Sequence, residues 1–271
     1  MKLEDIGPVV LVGAGKMGLA LARGWMAGGL TPDRLVLVDP KPADEAVAFA
    51  AKHGLRLLES PLGVLTHVLV LAVKPQIIGD VMAEIRPVVG GYTLVVSIAA
   101  GISLARLSEG LGTERVVRTM PNTPAQLGKG ITGAVALTIT EDDRLATDAL
   151  LRAAGEVVWF DDEAMIDAVT AVSGSGPAYV FNMVEAMAAA GEKQGLTPEQ
   201  AMQLARATVV GAAALLEADA APAAVLRQNV TSPNGTTAAA LAVLMAPDGL
   251  GLLLDRAVDA ARKRSEELGR G

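Results

Sequence analysis

The chain has 271 residues, room for one large domain or two ordinary ones. Hydrophobic residues make up 51% and aromatics only 3%, so the core must be closely packed Ala, Val and Leu, and the lack of cysteine excludes disulfides, thiolate catalysis and cysteine–zinc sites. A net charge of −7 with no basic cluster argues against nucleic acid as a partner.

Glu4 and Asp5 make the first residues unlike a signal peptide. Residues 8–12 then read as a buried parallel strand. They lead straight into Gly13-Ala14-Gly15-Lys16-Met17-Gly18, behind which a helix opens and runs to about Gly29. In a Gly-x-Gly-x-x-Gly turn the first glycine allows the tight bend and the second lets backbone amides approach a pyrophosphate. The third lets helix and strand pack closely, with the helix N-terminus facing the anion. A second apolar strand, Leu35–Val38, ends at Asp39, about 20 residues on, where a ribose-hydroxyl acceptor is expected. Strand, turn, helix, strand and acid together predict dinucleotide binding.

Strand and helix signals go on alternating. Ala43–His53 reads as helix, Leu55–Leu58 and Val68–Val73 as strands, Ile77–Ile85 as helix, and Leu94–Ile98 as a fifth strand. Ser103 caps a helix to about Leu111, and Val116–Val117 lead into Arg118-Thr-Met-Pro-Asn-Thr-Pro124. Ala134–Leu137 and Glu156–Phe160 read as edge strands flanking a helix from Asp142 to Ala153. This alternation predicts right-handed crossovers and a doubly wound parallel sheet, an α/β Rossmann-like half over residues 1–161. Ligands of such sheets bind beyond the carboxyl ends of the strands. The loops there are Ala72-Val73-Lys74-Pro75, Ser97–Gly101 and Arg118–Pro124. Pro75 biases Lys74 towards an extended backbone. Lys74 then either faces the cofactor or is a solvated turn residue. Ala99-Ala100-Gly101 is small enough for a flat ring to lie on it. His53 and His67 stand apart from other ligating groups and read as structural or solvated.

From Asp162 strand signals vanish, and residues 162–271 read as an all-helical domain. Its helices are Pro177–Gln194, one capped by Thr197 and running to about Glu217, Pro222–Gln228, Thr236–Met245 and Leu250–Leu268. Charges at Glu185, Glu192, Lys193 and Arg206 interrupt the longer ones and argue against a membrane span, so a soluble, cytoplasmic protein is expected. The apolar surface exceeds what one layer can bury, which predicts helices shared between subunits. Ser173–Pro177 and Asn229–Thr237 break the helical pattern. Both place hydroxyls and free amides at a helix start, which suits either simple capping or a carboxylate ligand.

These segments, taken together, resemble the pyrroline-5-carboxylate reductase family. The resemblance is carried by Gly13–Gly18, Ala72-Val-Lys-Pro-Gln76, Ser97-Ile-Ala-Ala-Gly101, Arg118-Thr-Met-Pro-Asn-Thr-Pro-Ala125, Ser173-Gly-Ser-Gly-Pro-Ala-Tyr179 and Asn229-Val-Thr-Ser-Pro-Asn-Gly-Thr-Thr237. It implies reduction of a cyclic imino acid, 1-pyrroline-5-carboxylate, to L-proline by NADH or NADPH. It further implies a homodimer through the helical domain, with dimers assembling further up to a decamer, and no metal. Carried over to this chain, Gly13, Ala14, Gly15, Lys16 and Met17 hold the pyrophosphate. Ala72, Val73, Lys74 and Pro75, with Ala99 and Ala100, line the ribose and nicotinamide. Ser232, Gly235, Thr236 and Thr237 hold the substrate carboxylate and ring nitrogen, with Asn229 close by, and Thr237 is the expected catalytic hydroxyl.

Two departures stand out. The family often has Gly-Gly where this chain has Asn234-Gly235, and asparagine tolerates the left-handed backbone better than most residues. Asp39 stands where many relatives carry a small or hydroxyl residue. It would repel a 2′-phosphate, which favours NADH, with Lys41 offsetting part of the repulsion. Two rivals are a β-hydroxyacid dehydrogenase, against which the absence of Lys in Ser173–Asn182 counts, and a non-enzymatic nucleotide-binding protein.

Overall fold

Four strands, β1 (Val9–Val12), β2 (Leu35–Val38), β4 (Val68–Leu71) and β5 (Leu94–Ser97), are buried along their whole length in the computed structural model, which describes residues 1–269. Parallel strands covered on both faces need no polar alternation, and these read as continuous apolar runs. With β3 (Arg56–Leu58), β6 (Val116–Met120), β7 (Gly130–Ala136) and β8 (Gly155–Trp159) they form an eight-stranded sheet in the order 3-2-1-4-5-6-7-8.

Successive side chains of each strand go to opposite faces. Val9 and Leu11 of β1 join one apolar cluster with α1 (Lys16–Ala27), α2 (Asp44–His53) and α5 (Glu141–Arg152). Val10 and Val12 join a second with α3 (Ile78–Ile85) and α4 (Leu104–Leu111). Trp25 of α1 is buried, and its indole N–H donates to the Leu150 carbonyl at 2.8 Å. A capping box between Thr140 and Asp143 starts α5. Asp143 also takes a two-pronged contact from Arg115, whose Nε and Nη2 donate to its oxygens at 3.0 and 2.5 Å. Burial raises the Asp143 pKa, but the bonds from Arg115 and Thr140, together with the guanidinium charge, outweigh it and hold the carboxyl below the usual range.

The expectation of a parallel sheet needs one correction. β7 runs antiparallel to β6, while β8 returns parallel to β7. The link between β6 and β7, with its short 3-10 turn Thr123–Leu127, is too brief for a crossover, which takes a dozen residues or more. β7 also begins at Gly130, earlier than its apolar stretch suggests. Gly133 is a place where a side chain would strike Val169, with the added carbon 2.8 Å from Val169 Cγ1.

A second correction concerns Ser173–Pro177. Met165–Val169 is helical (α6), and the chain continues through a π turn, Thr170–Gly174, almost to the start of α7 (Gly176–Lys193). The hydroxyls there bond backwards along the helix, Thr170 Oγ1 to the Ile166 carbonyl and Ser173 Oγ to that of Val169, at 2.8 and 3.0 Å. The Ser173 hydroxyl is thus not free at a helix start, while Ser175 stands directly before α7 as expected.

Residues 1–175 and the chain from Ala261 onward form one compact unit, and Gly176–Ala260 form another. In the first, the last turns of α11 (Leu250–Gly269) pack on α6 and on the loop after β5. Ser265 Oγ donates to Asp167 Oδ1 at 2.6 Å, and the Leu268 backbone lies against Gly101. In the second, α7 packs on α8 (Pro198–Ala218) around buried Ala188, Ala201 and Ala205. The Thr197–Gln200 capping box that starts α8 matches the expectation. α9 (Ala223–Asn229) and α10 (Thr236–Leu244) complete the unit.

Most large apolar side chains of the second unit are left uncovered: Phe181 is 65% and Val210 70% exposed. By length and composition α8 would suffice to cross a membrane, despite Glu199, Arg206 and Glu217 on it.

Candidate dinucleotide and substrate sites

The strand order reverses between β1 and β4, which sets a crevice at their carboxyl ends. The glycine turn sits there. Gly13 has φ +98°, a left-handed backbone, and its N–H donates to the Val38 carbonyl at 2.8 Å. A side chain on Gly13 would lie 2.7 Å from the Ala72 carbonyl and 3.0 Å from Val73 Cγ1, so the loop after β4 closes on this turn. A side chain on Gly18 would lie 2.2 Å from the Gly13 carbonyl, the close helix–strand approach foreseen from the motif. On Gly15 it would meet open space. That exposed backbone at the start of α1 is the cradle a pyrophosphate needs, and the residues present fit the group.

Asp39 stands at the end of β2. Its Oδ2 accepts the Ala14 N–H at 3.0 Å and its Oδ1 the Lys41 N–H at 2.9 Å. Ala14 itself is buried, Met17 half-buried, and Lys16 exposed. Beyond β4, Lys74 is exposed with φ −65° and ψ 142°, the extended backbone that Pro75 imposes.

Beyond β5 the two alanines differ. Ala99 is 3% exposed and its N–H turns back to Ser97 Oγ at 3.3 Å, whereas Ala100 lies at the surface. Only Ala100 offers a side-chain face; Ala99 offers backbone.

Within the second unit, Asn229 ends α9, and Ser232, Gly235, Thr236 and Thr237 follow around the start of α10. Asn234 has φ +55°, alone among the described non-glycine residues in the left-handed region. The chain thus adopts with Asn234 the shape that a second glycine would allow. Gly235 is the N-cap of α10, and a side chain there would displace the Ser232 hydroxyl, whose Oγ lies 2.4 Å from where the added Cβ would stand. Thr236 is exposed and Thr237 half-buried in the first turn, beside amides without helical partners.

Three polar residues support the first unit's loops through contacts that no sequence pattern marks: Arg118 and Asn122, which lie in a loop expected at the sheet's carboxyl edge, and Glu163, which no motif includes. Arg118 on β6 is buried and its Nη1 donates to Glu163 Oε1 at 2.7 Å. The same oxygen accepts the Leu104 N–H, at 2.8 Å, where α4 begins. Asn122 Nδ2 donates to the Ser173 carbonyl at 3.1 Å, and its Oδ1 accepts the Ile131 N–H at 3.0 Å. The partners lie 45, 59, 51 and 9 residues apart in the chain, and the three longest leave no local pattern to find.

Two family models match. Residues 8–101 match "NADP oxidoreductase coenzyme F420-dependent", and residues 163–268 match "pyrroline-5-carboxylate reductase dimerisation". A doubly wound sheet with this glycine turn at its switch point, matched to such a description, defines an NAD(P)-dependent oxidoreductase. The chain is 42% identical over 264 residues to a pyrroline-5-carboxylate reductase of Pseudomonas aeruginosa, with 96% of each chain covered, and 38% identical over 273 residues to one of Pisum sativum, covering 98% and 97%. It belongs to the pyrroline-5-carboxylate reductase family. Among solved structures, the Coxiella burnetii reductase superposes with a TM-score of 0.90 at 36% identity, covering 97% of this chain and 98% of that one. The Plasmodium falciparum enzyme, solved with NADP bound, superposes with a TM-score of 0.81 at 30% identity, covering 98% and 99%.

Proposed function

We propose that the chain reduces L-1-pyrroline-5-carboxylate to L-proline with NADH or NADPH, acting on a carbon–nitrogen double bond. The observation that carries this reading is the near end-to-end likeness to reductases of that name, spanning both units. In this reading Gly13, Ala14, Gly15, Lys16 and Met17 hold the pyrophosphate, through the open backbone at Gly15. Asp39 accepts from the adenosine ribose, and its charge disfavours a 2′-phosphate, so NADH is the preferred coenzyme. Ala72, Val73, Lys74 and Pro75, with Ala100 and the Ala99 backbone, line the nicotinamide half. When bound, the reduced nicotinamide supplies the hydride.

Asn229, Ser232, Gly235, Thr236 and Thr237 form the substrate site. The uncapped amides at the start of α10 bind the carboxylate. The Thr237 hydroxyl bonds the ring nitrogen and assists its protonation. An imine that carries much of its own proton needs no strong protein acid, which suits a loop without His.

Residues 1–161 serve the dinucleotide in this scheme, and 162–271 serve dimerisation and substrate. Uncovered Phe181 and Val210, together with the dimerisation match, support a homodimer through α7 and α8. Assembly of such dimers up to a decamer is part of this reading, carried by the family resemblance alone. The apolar length of α8 is then subunit interface rather than lipid contact. The working compartment in this reading is the cytoplasm.

The test is spectrophotometric. NADH and NADPH oxidation are followed with pyrroline-5-carboxylate, with the oxo partner of a β-hydroxyacid pair, and without substrate. Turnover with the imine alone is the expected result, and turnover with only the hydroxyacid pair would replace this reading with the dehydrogenase one.

A further inference from the structure

The loop between β5 and α4 is fastened at both ends by neighbouring residues of one strand. At its start, the Ser97 carbonyl accepts the Thr119 hydroxyl at 3.0 Å. At its finish, the Leu104 N–H donates to Glu163 Oε1, which Arg118 holds on the other side. Thr119 is 1% and Arg118 7% exposed. Thus β6 grips the start of the loop directly through Thr119 and its end through the Arg118–Glu163 pair. Between these points lie Ala99, Ala100 and left-handed Gly101.

We propose that Glu163 is a positioning residue for the nicotinamide end of the coenzyme, setting where the β5–α4 loop stands without touching ligand. This rests on the reading above that Ala99 and Ala100 line that end. The start of α4 does not need Glu163 merely to exist, because Ser103 Oγ caps it by accepting the Arg106 N–H at 3.2 Å. What Glu163 adds is a tie from the helix start to a buried guanidinium. Removing it leaves Arg118 buried without its carboxylate and frees the loop end to move. Adenosine and pyrophosphate are held elsewhere, around Gly13–Gly18 and Asp39, so the loss should be confined to one half of the coenzyme.

That asymmetry supplies the experiment. Dissociation constants for NADH and for ADP-ribose, which lacks the nicotinamide, are measured by titration calorimetry on Glu163→Ala, Glu163→Gln and Ser103→Ala. The last removes a cap from the same helix without touching Arg118. Melting temperatures are recorded for each, and kcat for the imine. Glu163→Ala is expected to weaken NADH about tenfold and to lower kcat by about tenfold to a hundredfold, the scale of a small misplacement, with ADP-ribose unchanged. Glu163→Gln keeps an oxygen for the Leu104 N–H and recovers part of the loss; it also serves if the alanine variant does not fold. Ser103→Ala leaves the NADH to ADP-ribose ratio as in the parent. Equal weakening of both ligands in the Glu163 variants, or no change in either, overturns the proposal. Failure of the parent enzyme to reduce the imine would instead overturn the functional reading, and the two binding constants would still decide the role of Glu163.

Discussion

The Ala14 N–H donates to Asp39 Oδ2 at 3.0 Å, tying the turn after β1 to the end of β2. The acid that faces the adenosine ribose in the proposed site is therefore also a brace of the turn that faces the pyrophosphate. Replacing Asp39 with Ser removes the charge that repels a 2′-phosphate. One charged hydrogen bond is worth about 1.5–3 kcal/mol, so the NADPH to NADH ratio of kcat/KM should rise about tenfold to a hundredfold. Because the shorter side chain no longer reaches Ala14, the turn that faces the pyrophosphate loosens for both coenzymes alike, lowering both kcat/KM values without altering their ratio. Steady-state kinetics with both coenzymes check this; an unchanged ratio removes Asp39 from coenzyme choice.

Thr237 sits in the first turn of α10, half-buried beside Gly235 and Thr236. A positioned proton donor contributes about a hundredfold or more to rate. Thr237→Ala should lower kcat by about a hundredfold, the low end of that range, because the imine brings its own proton. KM for the imine should rise much less. Turnover equal to the parent would take the hydroxyl out of the mechanism, and Thr237→Ser should restore most of it.

Phe181 and Val210 expose large apolar faces on α7 and α8. Covering such a side chain is worth about 1.5–3 kcal/mol, and a two-fold interface counts it twice. Phe181→Asp with Val210→Asp should convert the dimer to monomers in sedimentation velocity runs at micromolar protein. Persistence of the parent's sedimentation coefficient would place the interface elsewhere.

Asp143 has its carboxyl held below the ordinary range by Arg115 and Thr140, against the opposing effect of burial. A depressed pKa in the folded state contributes stability that is fully present above the unfolded value, about 3.9, and is lost as pH falls through the folded one. Urea midpoints measured from pH 7 to pH 3 should fall at the acid end. Asp143→Asn should be less stable at pH 7 and show a shallower fall on acidification. Parallel curves for parent and variant would mean that the pair does not govern acid sensitivity.

What the sequence disclosed follows from how local each feature is. Buried parallel strands announce themselves as apolar runs, and the turn Gly13–Gly18 carries its own geometry in its glycines. The Asn234 backbone could be anticipated because one residue's preference sets it. The antiparallel β6–β7 pairing could not, since Gly130 and Gly133 suit a loop as well as a strand, and Gly133 is there to admit Val169. The π turn was hidden by Gly174, Ser175 and Pro177, which read as breakers, while back-bonding from Thr170 and Ser173 keeps the chain coiled. Arg118, Asn122 and Glu163 found their roles only in partners far along the chain.

The helix Leu250–Gly269 starts in one compact unit and finishes in the other, so the polypeptide passes between them twice, near Ser175 and again at Ala261. A protease that nicks only the first passage would yield two pieces that still purify as one. The carboxyl-terminal piece remains anchored through Ser265 and Leu268 in its partner fragment. Releasing either unit intact requires a second cut, inside a continuous helix, where proteases seldom gain entry.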